Sequence, residues 1–130
     1  MPYMNRLANA SNKFQGQAKR VLCVCSAGLL RSPTAANVLH REYGHNTRAC
    51  GASPEYALIP IDAVLIAWAD EVVFVEKRVH DLAQAEFKDM LADKRIVILA
   101  IPDKYEWGDP HLQDLIRKQY EDVTIFEKAL

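Results

Sequence analysis

The stretch Val21-Leu22-Cys23-Val24-Cys25-Ser26-Ala27-Gly28-Leu29-Leu30-Arg31-Ser32-Pro33 runs from an unbroken apolar segment through a short loop into the opening of a helix, with Cys25 and Arg31 six positions apart. Five intervening residues are enough to curl the backbone so that its N–H groups point inward. The helix that follows adds unpaired N-terminal N–H groups and the positive end of its dipole. An oxyanion fits such a cup. Ser26, Ala27, Gly28, Leu29, Leu30 and Arg31 are therefore the expected phosphate-binding residues, with Arg31 clamping two oxygens of the anion bidentately. The same positive field is expected to hold Cys25 as a thiolate, the form able to attack phosphorus.

Outward from this loop, short β-rich runs alternate with longer helical patterns. Residues 21–24 read as the first strand. Ser32 is placed to cap a helix with Pro33 at its first position, Ala35, Ala36, Val38, Leu39 and Tyr43 follow at helical spacing, and Gly44 stops it. The pattern then predicts a short strand over 47–50, a helix over 61–69 and a buried strand over 71–75. A charged amphipathic helix containing Leu82, Phe87, Met90 and Leu91 comes next, followed by a strand over 95–101. A last helix starts at Asp109-Pro110 and carries Leu112, Leu115 and Ile116 on one face. Alternating β and α units imply an α/β fold: a single doubly wound, three-layer domain with a four-stranded parallel sheet and the anion loop after its first strand. Ligands of such sheets bind beyond the carboxyl ends of the strands, so the Cys25 loop and Asp103, after the last strand, are expected on one rim.

A chain of 130 residues, half of them hydrophobic, suits one domain with a real core. Residues 1–19 read as a polar N-terminal extension and 20–130 as the domain. A formal net charge of −1 leaves no basic footprint, so neither nucleic acid nor a membrane surface is an expected partner. Three cysteines without a CxxC pair, and nothing like an export signal or an apolar span, point to a reduced, cytoplasmic compartment. Cys23 reads as core and Cys50 has no evident partner. His40, His45, His80 and His111 lack metal-ligand spacing, so no metal or other cofactor is expected. Glu76-Lys77-Arg78 reads as the solvated, charged start of a helix.

The segments Val21-Leu22-Cys23-Val24-Cys25 and Arg31-Ser32-Pro33-Thr34-Ala35 resemble the active-site signature of the low-molecular-weight protein tyrosine phosphatases, and look most like a short bacterial branch of that family. Trp68-Ala69-Asp70 with Val73-Phe74-Val75-Glu76-Lys77-Arg78 is similar to the family's segment after the second helix. Ile101-Pro102-Asp103-Lys104-Tyr105 looks like its acid-bearing Asp-Pro-Tyr loop. The resemblance covers residues 20–120 and has departures. Ala27-Gly28 stands where the family usually has Gly-Asn, so the Asn that braces the loop is missing. Leu30 replaces the second cysteine that many members carry, and Lys104 stands where Pro is frequent.

What the resemblance implies is a cysteine phosphatase acting on phosphotyrosine protein or a small aryl phosphate. Cys25 would form a phosphocysteine, Arg31 and the loop amides would hold the equatorial oxygens, and Ser32 would stabilise Cys25 as leaving group. Asp103 is the first candidate general acid; Asp109 is the alternative, although Asp before Pro also suits a helix cap. Tyr105 and Trp107 are candidates for the walls of an aryl slot. Other functions stay open: a non-hydrolytic phosphate- or phosphopeptide-binding module, a phosphocysteine carrier, or an arsenate reductase, which needs further cysteines to resolve its adduct.

Overall fold

A computed structural model describes residues 18–28, 30–53, 55 and 57–129, with side chains to residue 123. Among them are four strands and four helices: β1 Arg20–Cys25, α1 Arg31–Tyr43, β2 Asn46–Gly51, α2 Ala63–Trp68, β3 Glu71–Phe74, α3 Lys77–Leu91, β4 Arg95–Ile98 and α4 Pro110–Ala129. The strands form one parallel sheet in the order β2-β1-β3-β4. From β1 the chain steps one way to β2, crosses back to β3, then continues to β4. The order therefore reverses between β1 and β3, and the crevice at their carboxyl ends is where α/β sheets hold ligands. Helix α1 packs with α4, and α2 with α3, which gives the three layers expected of a doubly wound domain.

Burial explains the strands. Val21, Leu22, Cys23 and Val24 are fully buried, as a central parallel strand covered on both faces requires. At the edge, β4 leaves Ile98 exposed. The strand expected over 95–101 ends at Ile98, yet Leu99 N–H still donates to the Phe74 carbonyl (2.8 Å) and Ile101 N–H to the Val75 carbonyl (2.9 Å). Between them Ala100 turns outward. Its N–H donates to Gln119 Oε1 (2.7 Å) and its carbonyl accepts from Gln119 Nε2 (3.1 Å), so a side-chain amide of α4 completes the open edge.

Helix boundaries differ from the sequence pattern in instructive ways. Helix α1 takes Arg31 and Ser32 into its first turn, so Ser32 does not cap it; Thr34 Oγ1 donates to the Leu30 carbonyl there (2.7 Å). Pro33, whose missing N–H is tolerated in a first turn, sits within it. Gly44 stops the helix in the left-handed conformation (φ 72°). Helix α2 is shorter than expected because Asp62 caps it, accepting from Leu65 N–H (2.8 Å), while Pro60 pairs with Gly51 just before.

At the opposite, amino-terminal end of the sheet, Glu71 is buried among compensating partners. Arg95 Nε donates to it at 2.6 Å, Tyr120 Oη at 2.7 Å and Lys19 Nζ at 3.1 Å. Burial alone would push this carboxyl up, but the bonds from Tyr120 and Arg95 with the Lys19 charge outweigh it and hold it below the ordinary range. The extension expected over 1–19 lies outside the described residues up to residue 17. Lys19 itself is tied to the sheet, its carbonyl accepting from Asn46 N–H (2.9 Å). Among the described residues, no helix is long and apolar enough to cross a membrane.

Candidate active site

Strand β1 delivers Cys25 to its carboxyl end, buried but bordering a cavity of about 200 Å³ lined by Cys25, Ser26, Ala27, Leu30, Arg31 and Asp103. The loop that follows turns back on the sulfur: Gly28, at φ 76°, aims its N–H at Cys25 Sγ (3.0 Å). No L side chain adopts that backbone easily, and a Cβ there would meet the Cys50 carbonyl carbon at 2.9 Å. Leu29, expected among the phosphate-binding residues, lies outside the described residues.

The loop lacks the bracing Asn of the phosphatase pattern, and the end of β2 supplies other supports. Ala52 N–H donates to the Cys25 carbonyl (2.8 Å) and Ser53 N–H to the Ser26 carbonyl (2.9 Å). The Cys25 thiol donates to Ser32 Oγ (3.1 Å), and Ser32 Oγ donates to the Cys50 carbonyl (3.1 Å). Gly51 allows this approach, since a Cβ on it would stand 2.6 Å from the Ser26 carbonyl oxygen. Cys50 thus serves the loop through its backbone. Burial pushes its thiol well up, and that of Cys23 likewise.

Arg31 is only 2% exposed, and a buried guanidinium needs partners. Nη1 donates to Glu76 Oε1 (2.8 Å) and to the Ile101 carbonyl (2.8 Å), while Nε stands 3.6 Å from Asp103 Oδ1. These contacts fix the position of the guanidinium, with Nη1 turned to Glu76 and the Ile101 carbonyl and Nε turned to Asp103. Glu76 corrects the reading of Glu76-Lys77-Arg78 as a merely solvated face. It follows β3 at the switch point, and the Arg31 hydrogen bond, reinforced by the Arg31 and Arg78 charges, holds its carboxyl below the ordinary range against the effect of burial. Its rim position after a strand was the one signal in the sequence; the neighbouring Lys77 and Arg78 masked it.

Of the two candidate acids, Asp103 stands at the mouth of the cavity, 60% exposed. Asp109 caps α4 instead, its Oδ1 accepting from the N–H groups of His111 (2.8 Å) and Leu112 (3.4 Å). Neither Tyr105 nor Trp107 is among the described residues that line the cavity. Tyr105 turns inward, 8% exposed, beside the His111 ring, and Trp107 stands out into solvent, while Gly108 N–H ties the same loop to Thr34 Oγ1 (3.0 Å). Leu30, partly exposed, takes the place of an apolar wall. Among the described residues, no group of three or more His, Cys, Asp or Glu side chains is placed to hold a metal ion.

A buried cysteine, a loop whose Gly28 N–H faces its sulfur, and a buried arginine stand together at the switch point of the parallel sheet of an α/β protein. No family model and no curated protein matches the chain. Solved structures do. Vibrio vulnificus Wzb in complex with benzylphosphonate matches with a TM-score of 0.62 at 16% identity, over 87% of this chain and 99% of its own. The YwlE arginine phosphatase from Geobacillus stearothermophilus gives 0.60 at 18% identity, over 85% and 96%. The Erwinia amylovora tyrosine phosphatase AmsI gives 0.62 at 15% identity, over 92% and 99%. The chain has the fold of the low-molecular-weight protein tyrosine phosphatases, the family that residues 21–35 resemble.

Proposed function

We propose that the protein is a cysteine-dependent phosphomonoester hydrolase acting on phosphotyrosine protein or a small aryl phosphate through a phosphocysteine. Convergence of Cys25, Arg31 and Asp103 on one cavity carries this reading. In the first step Cys25 Sγ, as thiolate, attacks phosphorus, the S–P bond forms, and the bond from phosphorus to the leaving oxygen breaks. The loop N–H groups and the Nε and Nη2 groups of Arg31 hold the equatorial oxygens. The oxyanion takes over the Nε edge that Asp103 borders, which frees that carboxyl to turn to the leaving oxygen and give it a proton. Water then attacks phosphorus, Asp103 accepts its proton, and the S–P bond breaks. Ser32 exchanges its hydrogen bond to the Cys50 carbonyl for one donated to the departing sulfur.

A carrier or binding module needs no acid at the mouth, and Asp103 weighs toward turnover. An arsenate reductase needs thiols ready to attack, whereas Cys23 and Cys50 are buried in the sheet. Residues 20–130 form the catalytic domain in this reading, residues 1–19 an accessory extension, and three free thiols fit a reducing, cytoplasmic compartment. The test is hydrolysis of para-nitrophenyl phosphate without added metal, by wild type and Cys25→Ser, with orthovanadate as competitor. Turnover that vanishes with Cys25 and is blocked by vanadate is expected. A folded wild type that binds vanadate but releases no phosphate points to the binding module, and undiminished turnover in Cys25→Ser refutes the nucleophile.

A further inference from the structure

A second guanidinium stands beside the catalytic loop. Arg78, in the first turn of α3, places Nη2 3.2 Å from Glu76 Oε1 and 3.4 Å from Ser26 Oγ. The Glu76 oxygen it shares is the one that holds Arg31. One carboxylate therefore organises two arginines of opposite exposure: Arg31 is buried at the cavity wall, and Arg78, 61% exposed, stands on the rim next to the first loop residue. A substrate phosphate answers the charge of Arg31. Arg78 shares its one carboxylate with Arg31, which Asp103 also borders, and its guanidinium is the one that faces solvent.

Beyond Arg78 the rim opens into a groove of about 440 Å³ along α3, lined by Lys77, Arg78, Asp81, Leu82 and Ala85. Leu82 presents an exposed apolar surface there, while Lys77 is already paired with Asp81 (3.0 Å). The groove shares Arg78 with the loop, so a chain leaving the phosphate pocket on this side meets a cation first and an apolar floor second.

We propose that Arg78 forms a second anion subsite, and that the substrate is a phosphorylated protein segment with a carboxylate side chain next to the phosphorylated residue, its following residues lying along α3. This rests on the phosphomonoesterase reading above and narrows its substrate class. An exposed charge pair of this kind is worth a small factor, so selectivity for an acidic neighbour is expected to be about threefold, falling as ionic strength rises.

The experiment compares kcat/KM for three phosphotyrosine peptides alike except for Glu, Ala or Lys beside the phosphotyrosine, with para-nitrophenyl phosphate alongside. The ratio of Glu to Ala peptide is the readout, because it cancels any effect of a substitution on the loop through Ser26. Wild type is expected to prefer Glu over Ala over Lys. Arg78→Ala brings the ratio to about one, Arg78→Lys keeps most of it, and Arg78→Glu inverts it. A wild-type ratio of one, a ratio unchanged in Arg78→Ala, or turnover of para-nitrophenyl phosphate without turnover of any peptide overturns the subsite alone. Absence of turnover on every substrate refutes the parent reading, and the subsite with it.

Discussion

Replacing Gly51 by Ala tests whether the end of β2 braces the Cys25 loop. A Cβ at this position lies 2.6 Å from the Ser26 carbonyl oxygen, 2.6 Å from the Ala27 carbonyl carbon and 2.8 Å from Ala57 Cβ. Ordinary contact begins near 3.4 Å, so about 0.8 Å must be made up by movement. Gly51 cannot retreat far, because its N–H donates to the Ile59 carbonyl (2.9 Å) and its carbonyl accepts from Ile61 N–H (2.8 Å). The loop is the side that yields, and it carries the amides that would hold the phosphate. Overpacking of this size destabilises by about 1–3 kcal/mol. Displacing catalytic groups by about 1 Å lowers turnover by about 100-fold. The measurements are urea unfolding, para-nitrophenyl phosphate kinetics and vanadate inhibition. Gly44→Ala is the control: it strains the left-handed cap of α1 for about 1 kcal/mol, away from the loop, and is expected to lose stability without losing turnover. A folded Gly51→Ala with wild-type turnover and vanadate affinity refutes the bracing role.

Other outcomes follow from the same geometry. Asp103→Asn is expected to slow phenyl phosphate by about 100-fold or more and para-nitrophenyl phosphate much less, since a good leaving group needs little protonation; equal losses on both remove Asp103 as the acid. Asp109→Ala is expected to reduce stability by about 1 kcal/mol through its lost cap, with the leaving-group dependence of wild type, and a changed dependence reverses the two assignments. Glu76→Gln, which keeps the shape but removes the charge beside Arg31, is expected to lower kcat/KM roughly tenfold, and unchanged kinetics in Glu76→Ala would show that Arg31 needs no such anchor. The folded-state values of Glu71 and Glu76 lie below the ordinary 4.5, so in acid the unfolded chain binds the extra protons. Their contribution to stability is complete above about pH 4.5 and is lost as pH falls through the depressed folded values, which unfolding curves taken from neutral to acid pH would detect; stability flat across that range contradicts the pairing.

Local chemistry made much of the architecture legible. The apolar run before Cys25 is buried as a central strand, Gly44 ends α1 where its backbone freedom is needed, and Asp109 accepts from the first turn of α4 as its place before Pro110 implies. The turn between Cys25 and Arg31 was readable for the same reason, because both residues lie within one short segment between β1 and α1. Errors gathered where a residue's role is set by a distant neighbour. Ser32 is expected both to cap the helix and to meet the Cys25 sulfur; it does only the second, since the helix starts two residues earlier than expected, at Arg31.

The amino-acid sequence by itself determined the alternation of strands and helices, the position of Cys25 at a strand end, and the short spacing that sets Arg31 across one turn from it. Each is a short-range property, settled by periodicity, backbone conformation and reach along the chain. Only the tertiary structure decided that Glu76, 45 residues from Arg31, anchors it, that Ala52 and Ser53 hydrogen-bond to the loop where Gly51 lets it approach, and that Tyr105 turns inward while Trp107 faces solvent. Those outcomes follow from strand order and the packing of one crossover on the next, which bring separate segments to the carboxyl ends of β1 and β3 and which no local pattern of residues encodes.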